Sequence, residues 1–242
     1  MKSCMFSTAI VLLAALLAAC AGGPSPPDWQ ANAKSAMDAA VAAYFAGDAR
    51  VEAAAFERAR SELARTGRPE LMARAELMRC AARVASLAFE PCDGFERLRH
   101  DVGVPERAYA DHLAARALSR DAIEQLPPAQ RAAATAIAGG AASSASVQGI
   151  DDPLSRLIAI GVLFVQGIDD PLSRLIAIGV LFQAGRADPS MITLAVDTAS
   201  AQGWRRPLLG WLKVQALRAE RAGDADAAQR LQRRIDLVQS GK

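Results

Sequence analysis

Few residues in this sequence are of a type that carries nucleophilic or metal chemistry. The histidines are His100 and His112, and the cysteines are Cys4, Cys20, Cys80 and Cys92. Cys80, Cys92, His100 and His112 could in principle supply four ligands to a zinc ion. Their spacing, eleven residues between the cysteines and eleven between the histidines, lacks the short ligand pairs that fix a tetrahedral centre. No metal or other cofactor is expected. His100-Asp101 and Asp111-His112 are adjacent pairs whose side chains diverge around a helix, so they read as surface residues and not as dyads. Ser143 and Ser144 follow Gly139-Gly140 in a small-residue stretch. It has neither the Gly-Lys-Ser/Thr ending of a phosphate cradle nor a nucleophile elbow, and it reads as a linker. With no nucleophile, base and oxyanion donor in a legible relation, no enzymatic activity is expected. One cluster points to recognition. Trp204, Arg205, Arg206 and Trp211 combine the residue types that dominate interface hot spots and are the candidate partner contact. The alternative is that both indoles bury within a helical hairpin.

The elements that would position these residues are helices. Of 242 residues, 52% are apolar, enough for a sizeable core. The 28 basic residues, 24 of them Arg, are balanced by 26 acidic ones for a net charge of +2. The two signs interleave along helical segments, the pattern of solvated faces with local ion pairs, and no basic block supports nucleic-acid binding. From Trp29 onward Pro or Asp opens each segment and Gly closes it, and nothing alternates at period two. Helices are expected from Trp29 to Ala46, from Asp48 to Arg65, and from Pro69 with apolar stripes reaching Phe89. Others are expected from Pro105 to Leu118, Pro128 to Ala138, Pro189 to Ala201, Pro207 to Ala222 and Asp224 to Gln239.

Two turns share Ala-Gly-Asp-Ala, at Ala46 to Ala49 and at Ala222 to Ala225, each between two helical segments. This is similar to tetratricopeptide-type hairpins, although the 34-residue spacing and the Trp-Leu-Gly-Tyr signature of that family are absent. The fold class expected is all-α, helical hairpins forming either an irregular bundle or a short tetratricopeptide-like solenoid.

Residues 147–164 and 165–182 are identical in sequence, VQGIDDPLSRLIAIGVLF. Structural repeats diverge where each copy meets a different neighbour, so identity points to a recent tandem duplication in a chain that formerly held one copy. Each copy offers Asp-Asp-Pro as a helix start and then apolar residues on almost every side, which demands burial. The extra copy is expected to be a tolerated insertion, with a gained binding surface as the alternative.

The N-terminus carries an address. Lys2 supplies a positive charge and Ala9 to Ala19 an apolar stretch too short to span a bilayer, ending in Leu17-Ala18-Ala19-Cys20. These four residues resemble the lipobox of bacterial lipoproteins. The resemblance implies a signal peptide at 1–19, acyl chains on Cys20 as the first mature residue, and anchoring in a membrane. Ala21, where Asp would retain an inner-membrane lipoprotein, implies the outer membrane. The Gly- and Pro-rich stretch Ala21 to Pro27 suits a tether, so residues 20–28 are read as a lipidated linker and 29–242 as one periplasmic domain. In an oxidising periplasm Cys80 and Cys92 are disulfide candidates, the alternative being two buried thiols. The function expected is a binding or scaffolding module on the periplasmic face of the outer membrane, with a protein partner. The rival readings are an envelope hydrolase and a small-ligand carrier.

Overall fold

The computed structural model describes residues 27–139 and 165–241. Cys20 with its lipobox, the Ser143-Ser144 stretch and the first copy of the duplication lie outside the described residues.

Local chemistry sets each boundary. Helix α1 (Asp28–Ala46) stops at Gly47, whose φ of 90° lies in the left-handed region that glycine enters without a Cβ clash. Asp48 then accepts the Val51 amide at 3.0 Å and caps α2 (Ala49–Ala64). Helix α3 (Pro69–Ala85) opens with proline at its first position. After it come α4 (Asp93–Glu96), a 3-10 turn (Arg99–Asp101), α5 (Val104–Leu113), α6 (Arg120–Glu124) and α7 (Pro128–Ala138). The second copy of the duplication forms α8 (Pro171–Gln183), with Asp170 accepting the Ser173 amide at 2.7 Å. Helices α9 (Pro189–Ala201), α10 (Arg205–Arg221) and α11 (Ala225–Ser240) complete the described chain. Asp224 caps α11 through the Ala227 amide, as Asp48 caps α2, so both Gly-Asp turns build antiparallel hairpins.

The described residues are all-α, and the arrangement is an irregular bundle. Helix α8 is its axis: Leu175, Ile178 and Val180 are each 0% exposed, packed among α3, α7 and α9. Gly179 lies where α8 crosses α3. A Cβ there would sit 2.4 Å from the Val84 carbonyl oxygen, so only glycine permits this approach. In a solenoid each hairpin touches only its sequence neighbours. Here α10 returns to α1, and Arg206 donates to the Tyr44 carbonyl at 2.7 Å, which closes the bundle.

Two helices end earlier than their apolar stripes extend. Helix α3 stops before Leu87, which takes a φ of 61°, and α5 stops before Ala115, at 53°. The first reversal brings Cys92, the residue before α4, back to Cys80 on α3, and the two form a disulfide with Cα atoms 5.9 Å apart.

Candidate functional site

Along α1 the residues Trp29, Ala33, Met37, Val41 and Phe45 recur every four positions and line one face. Leu71, Ala75 and Met78 on α3, four and then three positions apart, share one face of that helix and line the groove opposite them. Because Ala33 and Ala75 are small, the two stripes enclose a groove of about 810 Å³, bounded by Trp204 and Leu172. A second depression of about 510 Å³ continues it past Arg74, Met78 and Leu172 toward Tyr109 and Gln130. Met78 stands where the two meet and is 41% exposed, unusual for so large an apolar side chain on a packed helix.

The rim is charged and its charges are paired. Lys34 and Asp38 bond at 2.6 Å on α1, Arg68 bonds Glu70 at 2.7 Å, and Arg74 bonds Glu106 at 2.9 Å. Among the described residues three carboxylates are buried, and each is paired with an arginine. Glu52 accepts from Arg79 at 2.7 Å, Glu76 from Arg60, and Glu106 from Arg74.

The residues expected to contact a partner are divided by the fold. Trp211 is wholly buried, and its indole N–H donates to the Ala85 carbonyl at 3.0 Å. Arg206 lies 4.4 Å over the Tyr44 ring while donating to that residue's carbonyl near the end of α1. Arg205 donates to the carbonyls of Val238 and Gln239, at 3.1 and 3.2 Å, near the end of α11. The last carbonyls of a helix have no partner within it and carry the negative end of its dipole, so both guanidiniums act as C-terminal clamps. Trp204 packs on Phe45 with ring centroids 4.7 Å apart and also lines the groove. Of the predicted contact set, therefore, Trp211 is removed by burial, Arg205 and Arg206 hold the hairpins together, and Trp204 belongs to the groove.

The histidines separate as well. His100 is exposed in the 3-10 turn. His112, expected at the surface, is wholly buried because Asp111 turns outward to Arg99 and Arg116, placing the imidazole inward. Its Nε2 lies 3.2 Å from the Gln130 Oε1, and the Gln130 amide donates to the Ser173 carbonyl at 2.9 Å. The Gln130 oxygen is then an acceptor and Nε2 the donor, and Nδ1 is unpaired. Burial lowers the imidazole pKa to about 4, against a partial opposing effect of the Gln130 bond. Among the described residues no group of His, Cys, Asp and Glu is arranged to hold a metal ion, and no helix is long and apolar enough to cross a membrane.

The sequence reading missed the groove. Its signal was the four-residue recurrence from Trp29 to Phe45, which marks an apolar face but not whether a neighbour covers it. No protein-family model, curated protein or solved structure matches the chain.

Proposed function

We propose that the chain is an outer-membrane lipoprotein, held at the periplasmic face by acyl chains on Cys20, whose helical domain binds a protein partner in the cell envelope. The Leu17-Ala18-Ala19-Cys20 motif supports the anchor. Several chains on one residue, at about 0.8 kcal/mol per buried methylene, hold a protein on a membrane far more firmly than a single myristoyl chain does.

The observation that carries the binding reading is the open groove between α1 and α3. Its α1 stripe runs from Trp29 to Phe45, about 24 Å at 1.5 Å per residue, the length of a helix of four to five turns. The occupant that fits is an amphipathic helix of a partner protein, its apolar stripe laid between Met37 and Leu71 and its polar edges meeting the paired charges of the rim. A second reading, a carrier of a small apolar ligand, is favoured by the groove's volume of about 810 Å³, which is within the ~300–1,000 Å³ usual for ligand pockets.

Replacing Cys20 with Ala tests the anchor: the protein should leave the outer-membrane fraction, and unchanged fractionation would remove the lipoprotein reading. Solvent extraction of the purified chain, followed by mass spectrometry, separates the two occupants. A stoichiometric apolar small molecule would favour the carrier.

A further inference from the structure

The duplication gives the chain two identical segments for one place in its core. The segment 165–182 fills that place through specific contacts. Val165 and Ile168 are buried ahead of the helix, Leu175 and Ile178 are sealed inside it, Gly179 crosses the Val84 carbonyl, and Phe182 meets the Trp211 ring at 5.5 Å. Every one of these residues has an identical counterpart in 147–164, from Val147 and Ile150 to Leu157, Ile160, Gly161 and Phe164. Packing within the eighteen residues cannot discriminate between the copies, so only what flanks them can: the core helix runs on to Gln183, and Ala184 and Ala187 pack against the same core.

Both sets of connections are long enough to close. Gln130 in the first turn of α7 bonds Ser173 in the first turn of α8, so the two helices start side by side, and the start of α8 lies about one length of α7 from Ala138. Helix α7 is about 16 Å long at 1.5 Å per residue. Residues 139–146 extended at about 3.3 Å each reach roughly 26 Å, enough to deliver the first copy to the same place. In that register residues 165–187 would join the core helix to α9 in place of 183–187. The cost of closing a loop grows only with the logarithm of its length, and lengthening at one end is partly offset by shortening at the other.

We infer that the two copies are interchangeable: the core place accepts either 147–164 or 165–182, and the chain can fold in two registers of nearly equal stability. A lesion in one copy is then rescued by the other. Deleting either copy gives the same sequence and cannot reveal this, so the test uses substitutions in the full chain.

Leu175→Asp with Ile178→Asp disables the second copy, Leu157→Asp with Ile160→Asp disables the first, and a third variant carries all four changes. Circular dichroism during heating should show either double variant unfolding cooperatively within about 5 °C of the parent, and the fourfold variant without a cooperative transition. Limited trypsin digestion reads the register directly. The parent should be cut after both Arg156 and Arg174, one in each register, and cleavage should move wholly to Arg174 in the Leu175→Asp/Ile178→Asp variant. The inference is overturned if that variant loses its transition as completely as the fourfold one, if the cleavage site does not move, or if the fourfold variant still unfolds like the parent.

Discussion

The indole N–H of Trp211 donates to the carbonyl of Ala85 at 3.0 Å, tying the middle of α10 to the last turn of α3. That carbonyl is one of the four at a helix end that lack an intrahelical partner, and it lies beside the crossing of Gly179 over Val84. The bond and the close approach share one junction. Trp211→Ala removes both the bond and a wholly buried ring, and is expected to cost about 4 kcal/mol. Trp211→Phe keeps most of the volume and strands the carbonyl, at about 2 kcal/mol. Denaturant unfolding of both variants measures the difference.

Acid should act through His112. Its pKa is lowered by burial to about 4, whereas an unfolded histidine titrates near 6.5. The unfolded state therefore binds more protons between these values. The contribution is fully present above pH ~6.5 and is lost as pH falls toward 4, about 3 kcal/mol in all. A His112→Gln variant should show a flatter stability profile across that window, measured by urea unfolding at successive pH values. An unchanged slope would contradict the assignment.

The Cys80–Cys92 bond closes a loop with a sequence separation of 12. In the chain-entropy model a loop of this size is worth about 3 kcal/mol. Reduction should lower the melting temperature by about 10 °C. A Cys80→Ser/Cys92→Ser variant should melt at the reduced temperature and ignore reductant.

Glu52 is 6% exposed and relies on Arg79, with Arg83 more distant at 3.8 Å. Arg79→Ala leaves that carboxylate short of its closest cation and also removes the guanidinium 4.6 Å from the Phe56 ring. A loss of about 3 kcal/mol is expected, and adding Glu52→Gln should recover part of it. A double-mutant cycle on thermal unfolding gives the coupling.

Helix starts were legible where chemistry is local. Pro69, Pro128 and Pro189 open their helices as read, because proline at the first position costs no hydrogen bond. Ends were legible only where glycine marks them. Leu87 and Ala115 turn left-handed without glycine, so the apolar pattern was carried on to Phe89 and Leu118. The short helices at Asp93–Glu96 and Arg120–Glu124 fall below the length at which periodicity registers. The Trp204 to Trp211 cluster was visible by residue type. Its role was not, because the acceptor for Arg206 is a backbone carbonyl 162 positions away in sequence.

The binding reading stands or falls on the groove. The most direct measurement purifies the full lipidated chain from envelopes in mild detergent and quantifies what accompanies it, beside a Met78→Glu variant and a Leu237→Glu control. Leu237 is 73% exposed on α11 and does not line the groove. The account predicts a stoichiometric protein partner with the parent and the control, reduced at least about tenfold by Met78→Glu, a change of ~1.4 kcal/mol or more. Equal recovery with all three, or no stoichiometric partner with the parent, would contradict it.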